Sequence, residues 1–122
     1  MNYSEAIRQS INFIEMHIKE DLDVKQIAKN VGYSVFHFCR IFALSQGIPL
    51  MDYVRKRRLS LARSELLTGR KVIEIAIDYG FETASGFSKA FRKEFGYNPT
   101  TYIARMSGWN TNHITINMDV IS

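Results

Sequence analysis

Apolar residues recur along this 122-residue chain at helical spacing almost throughout. Ile7, Ile11, Ile14 and Ile18 fall on one stripe of an amphipathic helix, with Ser4 as its expected N-terminal cap. Asp23 and Gln26 have the spacing of a capping box. They open a short helix with Val24, Ile27, Ala28 and Val31 on its apolar face, ended by Gly32. Ser34 caps a second helix over Val35–Ser45, with Phe38, Ile41 and Phe42 inward. A long helix over residues 49–68 follows, with Pro49 in its first turn and Tyr53, Val54, Leu59, Ala62 and Leu66 on its apolar side. Ile73, Ile75, Ala76 and Tyr79 then lead to Gly80, Thr83 caps a helix over Ala84–Phe95, and Gly96 ends it. Asn98 caps a last helix beginning at Pro99.

The pattern repeats. Ile27, Ala28, Gly32 and Tyr33 correspond to Ile75, Ala76, Gly80 and Phe81, all 48 residues on. Past the glycine the offset becomes 49, pairing Phe38 with Phe87, Arg40 with Lys89, Phe42 with Phe91, Gly47 with Gly96 and Tyr53 with Tyr102. One residue added in a turn is what two copies of one supersecondary unit would show. Each copy reads as helix, tight glycine turn, helix. The expected fold is therefore all-α: seven helices, forming two helix-turn-helix subdomains (residues 5–48 and 70–106) on either side of the linker helix. Beyond Met106 the pattern changes. Ile114, Ile116, Met118 and Val120 alternate with polar residues, which predicts a short strand in a tail over residues 107–122.

Charge follows the repeat. Residues 1–24 hold two bases and five acids, whereas residues 25–105 hold fourteen bases and six acids. The positive part of the chain is the duplicated part, and a polyanion is its natural partner. The single cysteine, Cys39, rules out an internal disulfide and suits a reducing compartment. Acidic residues interrupt the N-terminal stretch, so it does not read as a secretory signal. No apolar run approaches the ~20 residues that cross a bilayer. These features predict a soluble cytoplasmic protein with no membrane partner.

Chemistry for catalysis is missing from the pattern. His17, His37 and His113 have no metal-ligand spacing to one another or to Cys39. The glycines fall in turns or a helix rather than in a phosphate-cradling strand–loop–helix, and no nucleophile has an evident base beside it. No enzyme, metal or cofactor is expected.

A helix-turn-helix unit braces its second helix with its first and lays the outer face of the second on base edges in the major groove of double-stranded DNA. In the first copy the outer positions are Val35, Phe36, Cys39, Arg40 and Ala43. Arg40 suits a bidentate contact to guanine. Two readings of Phe36 stand: it packs on thymine methyls, or it is wedged, partly buried, against the preceding helix. In the second copy the outer positions are Ala84, Ser85, Ser88, Lys89 and Arg92, mostly short, which favours phosphate contact over rich base reading. The run Arg55-Lys56-Arg57-Arg58 has the look of a localisation signal. Helical geometry splays it around the helix, so ion pairs or phosphate contacts by one or two members are expected.

The stretch IAIDYGFETASGFSKAFRKEFGYNPTTY, residues 75–102, resembles the signature of AraC/XylS-type bacterial transcription regulators nearly position by position, at Ala76, Gly80, Phe81, Phe87, Lys89, Phe91, Arg92, Gly96, Pro99 and Tyr102. With the first copy and the linker the resemblance covers about residues 5–106. It implies two recognition helices in adjacent major grooves, and a linker of ~28 Å at ~1.5 Å per residue is close to one DNA turn of about 34 Å. The family's base-reading positions carry over to Phe36, Cys39, Arg40, Ala84, Ser85, Ser88 and Lys89, and phosphate contacts are expected at Ser34, Thr83, Arg92 and Lys93. Phe36 stands where tryptophan is common in the family, Cys39 where a longer polar residue is, and Ala84 and Ser85 where amides occur, so no target sequence carries over. The family commonly adds an effector or dimerisation domain. Here it is expected after residue 106, the tail being its first strand, with any effector bound outside residues 1–106. A stand-alone regulator with a frayed tail is the alternative. The competing function is a protein-interaction module whose basic helices dock on an acidic partner such as RNA polymerase.

Overall fold

The computed structural model describes residues 2–112, with side chains through residue 107. Among these residues the fold is all-helical: α1 (Tyr3–Met16), α2 (Val24–Asn30), α3 (Val35–Gln46), α4 (Leu50–Glu65), α5 (Val72–Asp78), α6 (Ala84–Phe95) and α7 (Pro99–Asn112). The strand expected over Ile114–Val120 lies outside the described residues. α7 runs to Asn112, six residues past the boundary expected at Met106. The chain divides into two units between Arg58 and Leu59, within α4.

In the first unit α1, α2 and α3 pack on one another. Ile7, Ile14, Ile27, Ala28, Phe38, Ile41 and Phe42 form the core, joined by Leu50 and Val54 from the start of α4. Burying each larger side chain contributes ~1.5–3 kcal/mol. The cap of α1 is Asn2, not Ser4: its Oδ1 accepts from the Glu5 amide at 2.8 Å. Asparagine caps as well as serine, and the earlier start brings Tyr3 into the helix. The capping box of α2 forms as predicted, Asp23 Oδ1 accepting from the Gln26 amide at 2.8 Å and Gln26 Oε1 from the Asp23 amide at 3.1 Å.

The second unit takes Leu59, Ala62 and Leu66 from the end of α4, together with Ile75, Ala76, Tyr79, Phe87 and Phe91. α4 is shorter than the 49–68 expected. Its end tightens into three-residue turns, with the amides of Leu66 and Thr68 donating to the carbonyls of Arg63 and Glu65. Thr68 Oγ1 adds a bond to the Glu65 carbonyl at 2.6 Å, so the hydroxyl competes with continued helix.

The sequence repeat returns as repeated geometry. After α2 the Gly32 amide donates to the Lys29 carbonyl and the Tyr33 amide to that of Ala28. After α5 the Gly80 amide donates to Ile77 and the Phe81 amide to Ala76. Both are Schellman closures, with φ of 78° at Gly32 and 88° at Gly80, a region costly for any residue with a Cβ. The rings repeat as well. Phe38 and Phe42 lie 5.9 Å apart at 52°, Phe87 and Phe91 5.6 Å apart at 58°. Tyr53 meets Phe42 edge-on at 5.5 Å, and its counterpart Tyr102 approaches Phe91 at 6.4 Å. The matched residues are thus the ones that close the turn and pack beneath the second helix of each copy.

Candidate nucleic-acid interface

The second helix of each copy starts at a hydroxyl cap. Ser34 Oγ accepts from the His37 amide at 3.2 Å, and Thr83 Oγ1 from the Gly86 amide at 2.9 Å. Both helices end at a left-handed glycine, Gly47 and Gly96, whose amides close on the carbonyls of Ala43 and Arg92. Each is therefore a rigid rod of twelve residues with defined ends. At 3.6 residues per turn, the buried pair Phe38 and Phe42 turns Phe36 and Arg40 to the opposite side, with Val35 and Cys39 on the flank.

Phe36 is 76% exposed, which removes the reading of a residue wedged against the preceding helix. Val35 is 40% exposed and Cys39 half-buried, and the four side chains Val35, Phe36, Cys39 and Arg40 line a shallow, almost wholly apolar hollow. Arg40 is exposed, and among the described residues its guanidinium makes no ion pair or hydrogen bond. On α6 the residues Ala84, Ser85, Lys89, Arg92 and Lys93 are exposed, while Ser88 is half-buried at the core edge. Lys89, Arg92 and Lys93 also lack an ion pair or hydrogen bond from their side chains among the described residues. Ser34 and Thr83 are exposed, with their hydroxyl oxygens engaged as caps. The structure thus places Phe36 and Arg40 on the outer face of α3 and Ser85, Lys89 and Arg92 on that of α6, with Cys39 and Ser88 half-buried on the flanks and Ser34 and Thr83 at the caps.

A family model described as a helix-turn-helix domain matches residues 27–105. Regulatory protein SoxS of Salmonella typhimurium is 36% identical over 107 residues, a match covering 87% of this chain and 100% of SoxS. The chain belongs to the AraC-type family of helix-turn-helix transcription regulators. It is 37% identical over 103 residues to YbfP of Bacillus subtilis, an HTH-type transcriptional regulator, covering 84% of this chain but spanning only 35% of YbfP. An AraC-type transcriptional regulator from Chromobacterium violaceum has the same fold, with a TM-score of 0.80 at 27% identity over 84% of this chain and 92% of that one.

In each unit of this AraC-type domain, charges brace the helices. Arg57 grips Glu15 of α1 with two bonds, Nε at 2.8 Å and Nη2 at 2.7 Å. These bonds hold the Glu15 carboxyl below the usual glutamate range against the opposing effect of burial. Arg58 donates to the carbonyls of Ile18 and Glu20 at 2.9 and 2.7 Å, satisfying backbone groups just past α1. Arg55 pairs loosely with Asp52 at 3.5 Å. Three arginines of the basic run are therefore engaged within the chain, more than the one or two expected, because the splay of the helix brings them to α1, to the carbonyls past it and to Asp52. In the second unit Arg70 bridges Glu65 and Asp78, each at 2.9 Å, and the Tyr79 hydroxyl donates to Glu65. Burial, reinforced by that bond and the nearby acids, raises the Tyr79 pKa well above the usual phenol.

One contact has no signal in the helical periodicity. The Tyr3 hydroxyl and His37 Nε2 hydrogen-bond at 3.1 Å, and the His37 ring lies 5.2 Å from Tyr33. Residues 34 apart in sequence thereby tie the start of α1 to the first turn of α3. Among the described residues no group of three His, Cys, Asp or Glu is placed to hold a metal ion, and no helix is long and apolar enough to cross a membrane.

Proposed function

We propose that this chain regulates transcription by binding duplex DNA with α3 and α6 in successive major grooves. In this reading Phe36, Cys39 and Arg40 face bases in one groove, and Ala84, Ser85, Ser88 and Lys89 face them in the other. Ser34, Thr83, Arg92 and Lys93 meet phosphates. The observation that carries it is the duplicated outer face: two braced helices, with Arg40 on α3 and Lys89, Arg92 and Lys93 on α6 exposed and neutralised by no acid of the described residues. A cation left unpaired on a rigid surface is ready to displace condensed counterions from DNA.

The test is selection of bound duplexes from a randomised pool at near-physiological salt. The expected motif has two blocks spaced ~10 base pairs apart. A single block would restrict α6 to gripping phosphate, and no enrichment would overturn the reading. Arg40→Ala is expected to weaken the selected duplex by about 10- to 100-fold, the loss of one guanine-reading arginine.

One observation favours a second reading, docking on a protein partner through an apolar patch rather than through the basic helices. Ile73 and Ile77, one turn apart on α5, remain 38% and 58% exposed. Salt separates the two: a phosphate-dominated complex weakens steeply as salt rises, whereas apolar docking does not.

A further inference from the structure

The hollow on α3 is chemically unusual for a base-reading surface. Val35 and Phe36 carry no hydrogen-bonding side-chain group, and the Cys39 thiol is only a weak donor. Base edges in the major groove are distinguished by donors and acceptors, with one exception, the C5-methyl group of thymine. A surface of isopropyl, phenyl and thiol groups therefore suits that methyl best. Arg40 closes the hollow and is its single strong donor, with no partner among the described residues. It lies four residues beyond Phe36, one helical turn along the same face. A helix that seats a methyl against Phe36 thus brings a guanidinium to the neighbouring base pair, where guanine O6 and N7 accept its two donors.

We infer that α3 reads a C5-methylated pyrimidine beside a guanine, the methyl packing against Val35, Phe36 and Cys39 while Arg40 takes the guanine. This rests on α3 being a major-groove helix, as proposed above. The recognised group is the methyl, not the base that bears it. Thymine and 5-methylcytosine share it, whereas deoxyuridine and cytosine lack it. DNA methylation of a cytosine beside a guanine would then strengthen the hold of this chain on that site about fourfold.

The test uses the full chain and a duplex it selects from the randomised pool. Four versions differ at one pyrimidine beside the guanine: thymine or deoxyuridine opposite adenine, and cytosine or 5-methylcytosine opposite guanine. Affinity is measured by fluorescence anisotropy. Losing the methyl is expected to weaken binding about fourfold within each pair, the factor one buried methylene-sized group supplies. Phe36→Ala is expected to abolish both differences, with unchanged helicity by circular dichroism because the ring is exposed. Equal binding of thymine and deoxyuridine would overturn the inference, as would 5-methylcytosine binding no better than cytosine, or a selected motif with no thymine beside guanine. Each of those leaves DNA binding itself intact. Failure to select any duplex overturns the DNA reading, and the methyl inference with it.

Discussion

Phe36 and Phe38 are two residues apart and chemically identical, yet they do different work. Phe38 is fully buried beside Phe42, and Phe36 is 76% exposed. Phe38→Ala is expected to destabilise the chain by about 3–5 kcal/mol through the cavity it leaves. Phe36→Ala is expected to change stability by no more than about 0.5 kcal/mol, since no core contact is lost. Urea unfolding of the two variants measures this, and comparable losses would place Phe36 in the core after all. Helical periodicity separates the two residues by about 200°, which is why Phe38 was legible as core. The environment of Phe36 was not legible, because an aromatic off the apolar stripe suits a flank packed by α2 as well as an open face.

The helices were legible at their caps more than in their interiors. Asp23, Ser34, Thr83 and Asn98 all accept the amide bonds their spacing implies. At α1 two adequate caps, Asn2 and Ser4, stand two residues apart, and the first of them takes the Glu5 amide. α5 is the exception in kind: Lys71 occupies its N-cap position with no side-chain bond, although Glu74 already sits at the third helical position. Lys71→Ser would complete a capping box there and is expected to stabilise the second unit by about 1 kcal/mol. Asp23→Ala, which breaks the box of α2, is expected to cost about the same. Thermal unfolding measures both, and a Lys71→Ser variant no more stable than the parent would show that the α5 start gains nothing from a cap.

Across the molecule, the arginines of one short run serve as framework, a fact with consequences for acid stability. Glu15 has its pKa lowered on folding, chiefly by the hydrogen bonds from Arg57 and against the desolvation that raises it. A carboxylate whose pKa is depressed by folding stabilises the native state above its unfolded value, and that contribution fades as pH falls through the folded value. Stability is therefore expected to decline as pH drops below about 4.5. In Glu15→Gln the acid limb becomes shallower and stability at neutral pH is lower. Denaturant midpoints from pH 7 to pH 3 measure this, and an unchanged acid limb would show that the pair is screened by solvent. The pair is about a third exposed, so the effect is a modest one.

The sequence by itself determined the local elements and their duplication. Period, caps and turn glycines act within a few residues, so α2, α3, α5 and α6 and the correspondence of Phe38 with Phe87 could be read directly. The basic balance of the duplicated part and the family resemblance followed from the same string. Tertiary structure alone decided which of the remaining side chains stay available. It engaged Arg57 and Arg58 with partners some 40 residues away, tied His37 to Tyr3, and left Phe36 and Arg40 open on α3. The physical reason is that burial and ion pairing depend on approaches between distant segments, which no spacing along the chain encodes. The candidate site is what remains on each second helix once the core has taken its aromatics and the framework its charges.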